Sequence, residues 1–196
     1  MASAIVLAGG QSSRLGRDKA SIVVAGATLL QHVLNRVSGL ASEVIVVTRP
    51  GQELPSIASP PRSVEDSLPG KGPLAGLYTG LTAATSFPAI AVAGDMPLLQ
   101  PPLLQELLDL ALEFDAVVPR RQGLPEPLCA VYNAACIEAI RSCIERDDLK
   151  MANFLGDVRT RYVGEDEWQR VDPNGLSFFN LNTPEDLARA EALLGP

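Results

Sequence analysis

Residues 5–19 read Ile5-Val6-Leu7-Ala8-Gly9-Gly10-Gln11-Ser12-Ser13-Arg14-Leu15-Gly16-Arg17-Asp18-Lys19, an apolar run that empties into a glycine-rich loop carrying three cations. Glycines have no Cβ, so their backbone N–H groups can approach phosphate oxygens closely. A concave set of such amides forms an anion site that flanking cations strengthen. Arg14, Arg17 and Lys19 are spaced to converge on one loop, so the expected ligand is an anion of the nucleotide class. The plainer reading is a turn after a buried strand, with the cations solvated. The commoner glycine loops do not fit. A P-loop needs Gly, four residues, then Gly-Lys and a hydroxyl residue, whereas Gly10 and Gly16 are separated by five residues and Arg17 follows. The dinucleotide fingerprint fails for want of a third glycine three residues after Gly10.

A second chemical group stands at the end of Ala89-Ile90-Ala91-Val92-Ala93-Gly94-Asp95-Met96-Pro97, a buried-strand pattern that finishes by presenting one carboxylate. In an open α/β sheet ligands gather outside the carboxyl ends of the strands, so Asp95 and the Gly9-Gly10 loop are expected to face one crevice. A hard carboxylate together with phosphate oxygens and waters suits Mg²⁺, which rarely uses an all-protein cage. The structural alternative is that Asp95 caps the turn before Met96-Pro97.

These groups need elements to position them, and the chain supplies strands and helices in alternation. Ala4 to Leu7, Val44 to Val47, Ala89 to Ala93, Ala116 to Val118 and Leu128 to Tyr132 read as strands with helical patterns between them. That is the signature of a mainly parallel sheet covered on both faces. The expected fold is α/β, a single three-layer α/β/α domain over residues 1–196 with a mainly parallel, Rossmann-like sheet. Thr28 caps a helix in which Leu29, Leu30, Val33, Leu34, Val37 and Leu40 recur at helical spacing, with Gly39 near its end. His32 rides on it as an ordinary helix residue. A second helix starts near Pro73, where Gly72, Gly76 and Gly80 fall four apart on one face and allow a close approach by backbone or ligand. Pro101-Pro102 opens a third, buried through Leu103, Leu104, Leu107, Leu108 and Ala111. Thr183, Pro184, Glu185 and Asp186 supply the N-cap, first position and acidic first turn of a last helix, with Leu187, Ala190 and Leu194 inward. Arg49 to Pro61, with four prolines, reads as an irregular excursion.

Composition bounds the function. A chain of 196 residues buries about 70% of its unfolded surface, enough for a core without staples. Acids outnumber bases 23 to 16, and a net charge of −7 argues against nucleic-acid or anionic-membrane surfaces. No apolar stretch is long enough to span a bilayer and the first strand has no basic leader, so a cytoplasmic location is expected. Cys129, Cys136 and Cys143 are odd in number and lack short paired spacing, and His32 is the sole histidine. Neither a disulfide framework nor a zinc site is indicated, and the thiols read as reduced packing groups.

Leu7 to Gly10, Arg14 to Gly16 and Asp18-Lys19 together resemble the phosphate-binding signature of nucleotidyltransferases with the nucleotide-diphospho-sugar transferase-like fold. Within that superfamily the chain most resembles, over essentially its whole length, the molybdenum cofactor guanylyltransferases, or MobA-like proteins. The resemblance implies that Leu7, Ala8, Gly9, Gly10 and Lys19 bind the nucleotide, that Arg14, Lys19 and Asp95 are catalytic, and that Asp95 holds Mg²⁺. Val64-Glu65-Asp66-Ser67-Leu68 followed by Gly72-Pro73-Leu74-Ala75-Gly76 is similar to the family's guanine-recognition segment, with Asp66 as base reader. A carboxylate can accept from both the N1–H and the exocyclic amine of guanine, a donor pair that adenine and cytosine lack; the alternative for Asp66 is an Asx turn. Pro127-Leu128-Cys129-Ala130-Val131-Tyr132 is similar to an acceptor-side strand of the family. Phe179-Asn180-Leu181-Asn182-Thr183-Pro184-Glu185 is similar to its C-terminal segment, implying that Asn180 and Asn182 bind the acceptor through its phosphate or position a metal-bound water, unless they only terminate a strand and cap the helix. Two positions depart from the pattern. Leu15 replaces the commoner Met, and Thr48 stands near a position where the family often carries Asn; its hydroxyl donates one hydrogen bond and cannot reproduce an amide.

The implied reaction transfers GMP from Mg·GTP to the terminal phosphate of molybdopterin or molybdenum cofactor and releases pyrophosphate. A phosphate monoester with a second pKa of about 6 is already largely ionised at neutral pH and needs no protein base. Delivery of a labile product implies transient contact with cofactor-supplying or molybdoenzyme-maturation proteins. The alternatives are a cytidylyltransferase on molybdopterin or another phosphorylated acceptor, and a nucleotide-binding domain without chemistry. Arg120, Arg121, Arg159 and Arg161 are further candidates for acceptor phosphate, or else ordinary surface residues.

Overall fold

The computed structural model describes residues 2–9, 19–57 and 60–195. In chain order the elements are β1 (Ser3–Leu7), β2 (Val23–Val24), β3 (Ala27–Thr28), α1 (Leu29–Val37), β4 (Glu43–Thr48), β5 (Arg62–Glu65), α2 (Pro73–Ala83), β6 (Ala89–Ala93), α3 (Pro101–Leu110), β7 (Ala116–Arg121), β8 (Leu124–Pro125), β9 (Cys129–Tyr132), α4 (Ala135–Glu145), β10 (Thr160–Val163), α5 (Glu165–Trp168) and α6 (Pro184–Leu194). The main sheet runs β10-β7-β9-β6-β1-β4-β5, with β8 paired to β7; β2 and β3 form a separate hairpin. Every pairing in the main sheet is parallel except those of β9 with β6 and β7 and of β8 with β7.

Period-two alternation along β1 divides the core. Ala4 and Val6 pack with Leu30, Val33 and Val37 of α1 and Leu103, Leu104 and Leu107 of α3. Ile5 packs with Leu74, Leu77 and Leu81 of α2 and Ile140 of α4 on the opposite face. A strand buried on both faces is therefore apolar at every position, which is why β1, β4 and β6 read as continuous runs. The expected three layers are present. Among the described residues no helix is long and apolar enough to cross a membrane.

Register levels the ends that matter. Leu7 of β1 sits opposite Val47 of β4 and Ala93 of β6, so three carboxyl ends finish together. The chain leaves β1 toward β4 and β5, then returns through α2 to β6 on the other side of β1. The connections diverge between β1 and β6, the point at which open α/β sheets form a crevice.

Three expectations at element level need adjustment. Helix α1 ends at Val37, where Ser38 caps it, so Gly39 and Leu40 follow the helix. Strand β9 begins at Cys129, one residue after the expected Leu128. No strand precedes α6; Leu176–Phe178 is a 3₁₀ turn followed by extended chain, so Asn180 and Asn182 terminate no strand. The cap of α6 is Thr183, whose hydroxyl accepts from the Asp186 N–H at 3.1 Å, while Asp186 Oδ2 accepts from the Asn182 and Thr183 amides. His32 bonds through Nε2 to Val24 O at 2.8 Å and so fastens α1 to the hairpin. The three cysteines are buried and free, and burial pushes the Cys136 thiol up to about 12.

Candidate active site

Beyond the level carboxyl ends of β1, β4 and β6 lies a cleft of about 820 Å³. Its floor is made by chain segments that must touch. The Gly94 N–H donates to Leu7 O at 2.9 Å and the Ala8 N–H donates to Val47 O at 2.9 Å, which carries the pairing past the ends of the strands. A Cβ on Gly94 would stand 3.1 Å from Leu7 O and 3.3 Å from Ala8 Cα. Glycine here lets the turn after β6, which carries Asp95, press against Leu7 and Ala8.

The structure brings together most of the residues singled out from the sequence. Leu7, Ala8, Gly9, Lys19, Asp66, Asp95, Asn180 and Asn182 all line this one cleft. Gly10, Arg14, Arg17 and Asp18 lie outside the described residues. Lys19 begins a 3₁₀ turn, Lys19–Ser21, whose Ala20 is buried at the cleft. Its ammonium donates to Asp95 Oδ2 at 2.7 Å and to Asn182 Oδ1 at 2.6 Å. The Leu181 N–H donates to Asp95 O at 2.9 Å, holding the segment before α6 against the end of β6. Asp95 from the turn after β6 and Asn182 from the C-terminal segment thus meet around the single positive charge of Lys19, although 76 and 163 positions separate Lys19 from its two partners.

The oxygen donors here suit a hard divalent cation. Asp95 Oδ2 and Asn182 Oδ1 already converge on one cationic group, and Asn180 lines the same cleft. Among the described residues no cluster of three or more His, Cys, Asp or Glu could form a full metal cage. One carboxylate and amide oxygens, completed by phosphate and water, is the donor set Mg²⁺ favours.

At the other end of the cleft Asp66 follows β5, its N–H donating to Thr48 O at 2.8 Å. Asp66 Oδ1 accepts from the Leu68 N–H at 3.0 Å, an Asx turn, and from the Thr79 hydroxyl at 3.2 Å. The Asx-turn reading therefore describes this residue, which makes the turn with one carboxylate oxygen and also lines the cleft. Thr48 is buried, and its hydroxyl makes a 3.5 Å contact with Val64 O while the residue forms part of the wall.

Other lining residues were not singled out from the sequence. Arg49, Pro69 and Gly70 also face the cleft, as does Leu128 of the segment similar to the family's acceptor-side strand. Pro69 and Gly70 belong to the turn-rich stretch after Asp66, a loop signal that could have nominated them; Arg49 carried none. The four arginines considered for acceptor phosphate do not line the cleft. Arg120 lies 3.7 Å from the Tyr162 ring centre, Arg121 pairs with Glu126 at 2.8 Å, Arg159 pairs with Asp115 at 3.3 Å and Arg161 pairs with Glu167. Each of the four thus has a partner of its own away from the cleft.

Comparison with known proteins agrees with this arrangement. Residues 4–161 match the model of the MobA-like NTP transferase domain. The chain is 34% identical to the probable molybdenum cofactor guanylyltransferase of Pelotomaculum thermopropionicum, over 98% of this chain and 93% of that one. It is 30% identical to the molybdenum cofactor guanylyltransferase of Desulfosudis oleivorans, over 97% and 94%. The crystal structure of molybdopterin-guanine dinucleotide biosynthesis protein A from Archaeoglobus fulgidus superposes with a TM-score of 0.81 at 27% identity, covering 98% of both chains. The fold extends further, to the 2-C-methyl-D-erythritol 4-phosphate cytidylyltransferase of Thermus thermophilus, with a TM-score of 0.71 at 22% identity over 97% of both chains. A cleft at the switch point of a mainly parallel sheet, lined by Gly9, Asp66 and Asp95, and a family match over most of the chain converge: this chain belongs to the MobA-like NTP transferase family.

Proposed function

We propose that this chain is a cytoplasmic molybdenum cofactor guanylyltransferase, which transfers GMP from GTP to the terminal phosphate of molybdopterin or molybdenum cofactor and releases pyrophosphate. The observation that carries the reading is the convergence of Lys19, Asp95 and Asn182 at one end of a cleft whose other end presents Asp66. Near-full-length relatives that bear the guanylyltransferase name support it. Transient contact with proteins that supply the cofactor or mature molybdoenzymes follows from the same reading.

An oxygen of the acceptor phosphate attacks Pα of GTP, forming one P–O bond as the bond to the β-phosphate breaks and pyrophosphate leaves. Both reactants are anions, so the main task is to hold them in line and offset their charge. Lys19 would exchange its contacts with Asp95 and Asn182 for triphosphate oxygens, with Arg14 and the amides of Gly9 and Gly10 assisting. Asp95, with the Asn182 and Asn180 amides near it, would hold Mg²⁺. Bound there, the ion supplies charge neutralisation for the phosphates. Asp66 would read the base, and the acceptor, already ionised, needs no general base.

Thermal unfolding with GTP, CTP, ATP or UTP, each with and without Mg²⁺, tests the reading. A ligand at 100 times its Kd adds about 2.7 kcal/mol, a rise in Tm of roughly 5–10 °C for a chain of this size. The expected result is the largest shift with GTP plus Mg²⁺. A preference for CTP would move the assignment to a cytidylyltransferase, and tight GTP binding without pyrophosphate release on any phosphorylated acceptor would leave a binding domain.

A further inference from the structure

The hydrogen-bond directions around Asp66 can be settled by counting protons. Thr79 on α2 is 5% exposed, and its Oγ1 has three neighbours: Asp66 Oδ1 at 3.2 Å, the Ser67 N–H at 3.1 Å and Ser67 Oγ at 2.9 Å. A hydroxyl has one proton and two acceptor sites. The Ser67 amide can only donate, and an ionised carboxylate can only accept. The single Thr79 proton therefore goes to Asp66 Oδ1, and the Ser67 hydroxyl must donate to Thr79. The chain runs one way, from the Ser67 hydroxyl to the Thr79 hydroxyl to the Asp66 carboxylate, and all three valences of Thr79 Oγ1 are filled.

The consequence falls on the carboxylate. Oδ1 accepts from both the Leu68 N–H and the Thr79 hydroxyl, which uses its two lone-pair directions. Among the described residues no hydrogen bond reaches Oδ2. The carboxylate is thus held by two donors from different elements, the loop after β5 and helix α2, with one oxygen engaged and the other available to the cleft that Asp66 lines.

We propose that Thr79 is the positioning residue for base selection: its hydroxyl fixes the Asp66 carboxylate so that Oδ2 alone meets the base, which must offer its donors together on one edge. Guanine does so with N1–H and its exocyclic amine. Hypoxanthine retains only N1–H, and cytosine and adenine put an acceptor nitrogen beside their amine, which a fixed carboxylate oxygen repels. A carboxylate free to rotate would lose part of this discrimination while still lining the cleft. The inference rests on the guanine reading of Asp66 given above.

The test measures the binding of GTP, ITP and CTP, each with Mg²⁺, to the wild type and to Thr79→Val, Thr79→Ser and Asp66→Asn. Thr79→Val keeps the shape of the side chain and removes the hydroxyl. It should lower the preference for GTP over ITP and CTP by about tenfold, through weaker GTP binding, because about one hydrogen bond's worth of orientation is lost. Inorganic triphosphate, which has no base, should bind Thr79→Val as it binds the wild type, a control that a disturbed fold would not satisfy. Thr79→Ser, which restores the hydroxyl, should recover the preference. If Asp66→Asn abolishes the preference and Thr79→Val leaves it intact, the positioning role is wrong and the guanine reading stands. If the wild type shows no preference for GTP, the guanine reading fails and the role of Thr79 falls with it.

Discussion

One ammonium group in the cleft touches oxygens from two distant parts of the chain, and its surroundings decide what removing it would do. The side chains of Lys19 and Asp95 are 17% and 19% exposed, so their ion pair remains in contact with water, and pairs of that kind contribute less than about 1 kcal/mol to stability. Their value to a reaction between polyanions is larger, because removing one preorganised group that faces developing charge typically costs about 100-fold or more in turnover. Lys19→Ala should therefore unfold within a few degrees of the wild type while losing at least about 100-fold in GTP-dependent pyrophosphate release. Differential scanning calorimetry and a pyrophosphate assay on the same preparation check both halves. Full activity in Lys19→Ala would remove Lys19 from the phosphate site. The contrast with Thr79 is one of distance from the chemistry: Lys19 faces the phosphates themselves, whereas Thr79 acts through Asp66.

Helix α2 shows how an element delivers these residues and what the sequence disclosed about it. Of the three glycines spaced four apart, Gly76 and Gly80 occur on the face that α2 lays against β1 and β4, whereas Gly72 caps the helix start at a positive φ with open space around its Cβ position. A Cβ on Gly80 would stand 2.4 Å from Ile5 Cγ2 and 3.2 Å from Val47 Cγ2, whereas a Cβ on Gly76 would stand 3.4 Å from Leu7 Cδ2. Alanine in a helix interior gains about 1 kcal/mol over glycine, but overpacking a filled core costs about 1–3 kcal/mol. Ile5 is fully buried and cannot swing aside. Gly80→Ala should therefore lower stability by up to about 2 kcal/mol and Tm by roughly 4 °C, while Gly76→Ala, whose Cβ would sit at ordinary contact distance, should be neutral or gain up to about 1 kcal/mol; equal Tm values for the two variants would contradict the close-packing account. The central strands were legible because burial on both faces leaves continuous apolar runs, and α1, α2, α3 and α6 because caps, prolines and spacing announce them. The edge strands β5 and β10 escaped notice for the opposite reason. Arg62–Glu65 is mostly exposed and Thr160–Val163 mostly half-buried, and both carry charge, as solvated sheet edges do. Helix α4 did leave a trace, since Cys136, Ile140 and Cys143 recur at helical spacing and are all buried, but two of its three core positions are cysteines and were read only as packing thiols. In the cleft, Lys19, Asp66 and Asp95 were legible from local motifs. The bonds from Lys19 to Asn182 and from Thr79 to Asp66 were not, because they join segments with no sequence relation to one another.

On the scale of the whole molecule, the two ends of the sheet do different work. The carboxyl ends carry the cleft, and the amino ends are tied by one carboxylate. Glu43, the first residue of β4, accepts through Oε1 from the Ser3 hydroxyl at 2.6 Å, the Thr85 amide at 2.6 Å and the Thr85 hydroxyl at 2.7 Å. Ser3 begins β1 and Thr85 precedes β6, so a single side chain joins the starts of the same three strands whose ends frame the site. Desolvation alone would raise the Glu43 carboxyl, but this set of donors outweighs it and holds the group down at about 2, below its ordinary 4.5. A carboxyl lowered on folding contributes stability that is fully present above its ordinary pKa and is lost as pH falls through the folded value. For Glu43 the loss runs from about pH 4.5 down to about 2. Asp115, beside Arg159, and Asp186, at the start of α6, are lowered too and steepen the same acid limb. The alkaline limb comes from groups that burial raises: Cys136 is lifted from 9.0 to about 12, and Cys129, Cys143 and Tyr132 are raised as well, so stability declines above pH 9 as unfolded chains ionise these groups. Glu43→Gln should be less stable than the wild type by about 1–2 kcal/mol at pH 7, the scale of hydrogen bonds to a partly exposed charged group. That difference should shrink as pH falls toward 2, where the wild-type carboxyl is itself neutral. Urea unfolding of both proteins at a series of pH values reads the gap directly, and a gap independent of pH would show that the ionised carboxylate is not what ties the strands. Because this tie lies at the end of the sheet away from the cleft, Glu43→Gln at neutral pH should bind Mg·GTP with wild-type affinity, so that acid sensitivity of the fold and nucleotide binding can be measured independently on one variant.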